Sequence, residues 1–337
     1  MKNFLPLEHH KQLAAGMKPS LRWDGTTPIA EWREKCREKL WELLGMDSFQ
    51  SCDPVFEITA EDELNGNRHI HFVLQTEEGY FTHCDLLMPK EQTGKLPLCV
   101  GLQGHSKGSH ITLGQVKYPG EEPLIADGDR DFAVRAVKEG YAGLAIEQRA
   151  FGECGGTESG PRCDRPVMTA LLMGRTVIGE RVWDVMRVLD AVETHFADII
   201  TLDQSVLVGN SGGGTTTYYA ACLEHRFAGF MPSCAVCTYR DSIVNIHHCA
   251  CNYVPGIMKY FDMGDLAVMM APKKLVVVCG EKDDIFPLHG VRETFGIISG
   301  LYEAAGAGDQ CALVIGEGGH RFYADAAWPV MHRLLAE

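Results

Sequence analysis

Two stretches of the chain set a serine between glycines, Gly104-His105-Ser106-Lys107-Gly108 and Gly209-Asn210-Ser211-Gly212-Gly213. A serine hydroxyl attacks a carbonyl only when a base takes its proton. The Gly-x-Ser-x-Gly pattern serves that chemistry when a strand enters it and a helix leaves it. Ser211 meets the condition: Ser205–Val208 precedes it as an apolar run, and Thr215–Leu223 follows as a helical stretch. That stretch opens on glycines and threonines, which are poor helix formers, and a broken local rule marks a functional turn. Ser106 does not meet it, because a Pro119-Gly120 turn follows without a good helix.

The chain has 14 histidines, so the base must be chosen by position. His320 ends Gly316-Glu317-Gly318-Gly319-His320, just past the last apolar run, where a flexible loop brings an imidazole over the nucleophile. The acid that orients it should lie between the two, on the loop Gly280–Pro287. Glu281, Asp283 and Asp284 compete there; Asp283 is the choice and Asp284 the runner-up. A tetrahedral intermediate needs two N–H donors for its oxyanion. Gly212 supplies the one that follows the nucleophile. The loop Gln103-Gly104-His105 supplies the other, with the His105 N–H as the choice.

Short apolar runs position these loops: Leu98–Leu102, Ala142–Ile146, Ser205–Val208, Leu275–Cys279 and Cys311–Ile315. Continuous runs of this length suit strands buried on both faces of a parallel sheet. Amphipathic helices alternate with them, at Arg181–Phe196, His289–Glu303 and Tyr323–Leu335. Ligands of such α/β sheets bind beyond the carboxyl ends of the strands, where all the chosen residues lie. Before Pro97 the pattern differs. A helix over Ile29–Leu44 stops at Gly45, and three strand-like pieces follow at Val55–Thr59, His69–Leu74 and Tyr80–Met88.

The motifs Gly209-Asn210-Ser211-Gly212-Gly213, Gly280-x-x-Asp283-x-x-Phe286-Pro287 and Gly318-Gly319-His320-Arg321-Phe322 resemble the α/β-hydrolase superfamily, in the chain order Ser211, Asp283, His320. The closest resemblance is to the acetyl xylan esterase, cephalosporin-C deacetylase and dienelactone-hydrolase-like group. Glu147–Glu153, Gly179–Val185 and Cys251–Gly256 fit that group too. The resemblance implies an α/β-hydrolase fold, with a mostly parallel central sheet, helices on both faces and an N-terminal helical extension over 1–50. Residues 51–337 form the catalytic domain, in which 154–175 and 234–263 cover the pocket. It implies a serine esterase or deacetylase that works through an acyl-enzyme without a cofactor. Peptidase, thioesterase and acyltransferase activities on the same triad are the alternatives, and a non-catalytic binding protein is the rival of another class. Many relatives have His-Gly where this chain has Gln103-Gly104, and Gln or Met where it has Gly212. Neither change removes a backbone N–H, but both alter the acyl pocket. Arg321 reads as a structural or surface charge.

Aspartate plus glutamate (45) exceed lysine plus arginine (31), for a formal charge of −14 over 337 residues. Such a surface repels phosphate backbones, so nucleic acid is not expected as a partner. No run approaches the roughly 18 to 20 apolar residues of a membrane span, and the first ten residues do not read as a signal peptide. The expected partner is a small-molecule ester in the cytoplasm, with a homo-oligomer left open. The thirteen cysteines cannot all pair within one chain, and reduced thiols are expected. The segment Cys234–Met263 holds Cys234, Cys237, His247, His248, Cys249 and Cys251. Its spacing is not that of a zinc module, so no metal is expected and the cysteines read as packing. A second nucleophile among them lacks an activating partner in the sequence.

Overall fold

The computed structural model describes residues 4–53 and 55–336. Met1–Asn3 of the expected extension, and Pro54 and Glu337 of the expected catalytic segment, lie outside the described residues. The strands are β1 (Phe56–Leu64), β2 (Asn67–Glu77), β3 (Tyr80–Pro89), β4 (Leu96–Leu102), β5 (Ala142–Ile146), β6 (Ile200–Asn210), β7 (Gly229–Ser233), β8 (Lys274–Gly280) and β9 (Cys311–Gly316). They form one sheet in the order β1-β2-β3-β5-β4-β6-β7-β8-β9. The first three are antiparallel, and the sheet is parallel from β5 to β9. The helices are α1 (Pro6–Gly16), α2 (Ile29–Leu44), α3 (Glu122–Ala126), α4 (Phe132–Lys138), α5 (Asp164–Leu172), α6 (Val177–His195), α7 (Gly212–Leu223), α8 (Leu288–Ala304) and α9 (Ala324–Ala336). Among the described residues no helix is long and apolar enough to cross a membrane.

The uninterrupted apolar runs are explained by two buried sheet faces. Leu98, Val100 and Leu102 of β4, with Leu275, Val277 and Cys279 of β8, join a core shared with α2, α6, α7 and α8. The intervening Cys99, Val276 and Val278 point the other way, into a second core with Phe132 of α4 and Trp328 and Met331 of α9. Side chains alternate across a strand, so each run feeds both layers.

α2 matches its expected span and ends at Gly45, whose φ of 73° is the left-handed cap that glycine adopts without strain. Its Cys36, Leu40 and Leu44 are fully buried, and the Arg37 guanidinium donates to the carbonyls of Cys222 and Met269. The helix therefore packs into the same core as the sheet. Two features differ from the sequence expectation. β6 begins at Ile200, not Ser205: exposed Asp203 and Gln204 hide its first half, and the ladder with β4 shifts register there. β7 does not read as an apolar run because Gly229 and Pro232 interrupt it, yet all five of its residues are buried.

Leu40→Ala should lower unfolding stability by about 2–5 kcal/mol, the range for deleting a buried leucine side chain. Urea denaturation followed by circular dichroism measures it.

Candidate active site

Ser211 sits between β6 and α7 with φ 58° and ψ −122°, a conformation that L residues rarely adopt. The turn is tight because glycines surround it. A Cβ on Gly209 would meet the Gly213 backbone at 2.5 Å, and one on Gly213 would run into the Leu102 carbonyl of β4. The Ser211 N–H is held by the Ser233 carbonyl of β7 at 2.8 Å, and the Ser233 hydroxyl donates to Asn210 Oδ1 at 2.9 Å. Strand β7 thus braces the turn from one side.

Gly104, after β4, braces it from the other. A Cβ there would meet the Asn210 carbonyl at 2.8 Å and Ser211 Cβ at 2.9 Å. Gln103 Nε2 donates to buried Glu147 at 2.6 Å, Gln148 Nε2 donates to the Gln103 carbonyl at 2.6 Å, and Thr216 Oγ1 of α7 donates to Gln148 at 2.7 Å. Glu147 also accepts from the Ser109 N–H at 2.9 Å, and burial pushes its carboxyl up to about 7. This network locks the loop that carries His105 onto the helix that follows Ser211. Gly212 opens α7, so its N–H has no acceptor one turn back, and the His105 N–H makes no backbone hydrogen bond among the described residues. Ser106 donates weakly to the carbonyls of Gly104 and Gly108 within its own turn.

The structure brings His320 and Asp283 together. His320 Nδ1 lies 2.9 Å from Asp283 Oδ2, while Asp283 Oδ1 accepts from the N–H groups of Ile285 and Phe286 at 2.9 and 3.1 Å. The Asp283 carboxylate is fully buried, whereas Asp284 is exposed. Burial alone would raise the Asp283 pKa, but His320 and the two N–H groups outweigh it and hold the group below the usual carboxylate range. Phe286 stacks on the His320 ring at 6.0 Å between centroids and meets His248 edge-on at 5.2 Å. Arg321 pairs with Asp129 at 2.7 Å, in keeping with a structural charge.

A cleft of about 400 Å³ opens at Ser211 and Gly212. Its walls include His105 and Phe286, Asp164 from the first expected covering segment, and His248 and Cys249 from the second. His248 accepts from or donates to Ser242 Oγ at 2.9 Å; burial, then the nearby His105 and His320 rings, pull it down to about 4. It is therefore neutral near pH 7. Cys234 adjoins Asp283, but burial pushes its thiol up, so it offers no thiolate there. A separate polar cleft of about 500 Å³, lined by His69, His71, Asp85 and Glu147, does not include Ser211.

Sequence reasoning missed what surrounds the His105 side chain. Its Nε2 lies 3.1 Å from Cys251 Sγ, and buried Arg181 donates to Cys251 at 3.4 Å and to Cys163 at 3.7 Å. The segment's cysteines thus do have basic neighbours, which lie far away in sequence. Cys251 itself is 2% exposed and does not line the cleft. The signal available was Gly212: a Cβ there would meet the His105 ring at 2.8 Å, so the residue after Ser211 is glycine where a larger side chain would evict the imidazole.

No family model matches the sequence. A Bacillus subtilis (strain 168) protein named "Putative hydrolase YtaP" is 24% identical over 239 residues, 69% of this chain and 75% of that protein. Among solved structures, a "putative acetyl xylan esterase" from Bacteroides fragilis superposes with a TM-score of 0.78 at 17% identity, covering 94% of this chain and 83% of that one. Acetyl xylan esterase 1 from a Thermoanaerobacterium species superposes at 0.61 with 17% identity, over 98% and 99% of the two chains. A glucuronoyl esterase from Solibacter usitatus superposes at 0.68 with 14% identity, over 96% and 98%.

Asp283 stabilises the fold above the ordinary carboxylate pKa of about 3.9, and this contribution is lost as pH falls through its lower folded value. Asp283→Asn should therefore flatten the acid limb of the stability curve below about pH 4. Melting temperatures of both proteins across a pH series test this. With its strand order, its serine turn and these superpositions, the chain has the α/β-hydrolase fold.

Proposed function

We propose that the protein is a serine hydrolase that cleaves a carboxylic ester, with Ser211 as nucleophile, His320 as base and Asp283 as the group that orients the base. The observation that carries the reading is the Ser211 turn: a strained serine opening onto a cleft, with a histidine–aspartate pair at the neighbouring loops. In this reading Ser211 Oγ attacks the ester carbonyl and His320 takes its proton. The N–H groups of Gly212 and His105 hold the oxyanion. The imidazolium returns the proton to the departing alcohol, and a water activated by His320 then releases the acid from the acyl-enzyme. Asp283 remains ionised and fixes the imidazole tautomer.

The small cleft and the acetyl xylan esterases among the similar structures favour a short acyl group, with an acetyl ester of a sugar as the leading substrate class. The thirteen free thiols fit a reducing compartment, and we extend the proposal to a cytoplasmic location.

Ser211→Ala should lower turnover of an aryl acetate by roughly 10⁴- to 10⁶-fold, as loss of such a nucleophile does elsewhere. Ser106→Ala should keep most of it. Full activity in Ser211→Ala, or no labelling of Ser211 by a fluorophosphonate, overturns the assignment. Asp283→Asn should lower kcat by up to about 10⁴ with a smaller change in KM, since the wrong tautomer then faces Ser211. Rates on matched ester, thioester and amide substrates identify the bond cleaved, and a preference for the amide or thioester rejects the ester reading.

A further inference from the structure

His105, Cys163, Cys249 and Cys251 place one nitrogen and three sulfurs within 4.8 Å of one another. His105 Nε2 stands 3.1 Å from Cys251 Sγ, and the Cys251 and Cys249 sulfurs are 3.5 Å apart. The residues come from three separate loops. His105 follows β4, Cys163 precedes α5, and Cys249 and Cys251 lie in the second covering segment. The distance in sequence, 146 residues between His105 and Cys251, is why no local spacing betrays the set.

A second observation points to negative charge at this place. Arg181 is 2% exposed, and no carboxylate pairs with it among the described residues. Its guanidinium donates to the Arg149 carbonyl at 2.8 Å, to Cys251 Sγ and to Cys163 Sγ, and it lies over the Phe151 ring. A buried cation without an anionic partner is costly. Neutral thiols do not neutralise it; thiolates do.

We propose that these four residues bind a structural zinc ion, or another borderline-soft divalent metal, in a closed Cys3His site. Three thiols release their protons to solvent and bind as thiolates, and His105 binds through Nε2. The ion with three thiolates carries one net negative charge, which Arg181 cancels while its N–H groups hydrogen-bond the sulfurs. With four protein ligands the site has no open position for a substrate or a water, so the metal is not a reactant. Its work is to tie both covering segments to the loop whose His105 N–H points at the oxyanion. That last step rests on the proposed esterase mechanism; the metal site does not.

The test is made on the full-length protein, expressed in zinc-supplemented medium and purified under reducing conditions, with metal content measured by plasma mass spectrometry. Stoichiometric zinc is expected in the native protein and in Cys311→Ser, and an approximately tenfold or greater loss in Cys163→Ser and Cys251→Ser. Growth on cobalt instead needs no variant. Thiolate-to-cobalt charge transfer and the strong visible bands of tetrahedral cobalt are expected. A native protein that holds no transition metal and takes up neither zinc nor cobalt overturns the site. So does a cobalt protein without thiolate charge transfer, or a peptide map in which two of Cys163, Cys249 and Cys251 are joined in a disulfide. Metal bound in a protein that fails to hydrolyse esters would keep this site and reject the esterase.

Discussion

The close approach of α7 to the sheet governs everything at the cleft. Ser211 can hold φ 58° because Gly209, Gly213 and Gly214 let the helix start almost in contact with β4, β6 and β7. Such a conformation costs of order 1–3 kcal/mol and persists only where its surroundings impose it. Here they do: the Ser211 N–H is bound by β7, and Gly104 leaves room for its Cβ. The same squeeze exposes the first N–H of the helix to the cleft.

Two buried polar assemblies hold the loop after β4 in register with that turn. On one side Gln103, Glu147, Gln148 and Thr216 form a hydrogen-bonded chain from loop to helix. On the other, the His105 ring leans over Gly212 toward sulfur and Arg181. Gln103 and Gly212 act at opposite sides of this loop: a glutamine that reaches a buried acid, and a glycine that makes space for an imidazole.

The parts legible in the sequence were those whose physics is local. The serine turn showed because only glycines fit its flanks, and the strands showed because burial on both faces demands continuous apolar runs. The pairing of Asp283 with His320 was reachable from loop position, and the backbone N–H groups of Ile285 and Phe286 that bind Asp283 are what set it apart from exposed Asp284. β7 was hidden by Gly229 and Pro232, which carry the marks of a turn inside a buried strand. The sulfur cluster was hidden for the opposite reason: each member is unremarkable where it stands, and only the fold gathers them.

The stacking of Phe286 on His320 has a dynamic meaning. The imidazole is held at Nδ1 by Asp283 and has the Phe286 ring stacked alongside, which in turn meets His248 edge-on. With Nδ1 bound to Asp283, Nε2 is the ring nitrogen left on the far side. A proton collected at Nε2 must then be handed back along nearly the same line by which it arrived, so in the proposed reaction the leaving alcohol and the incoming water use one doorway in turn.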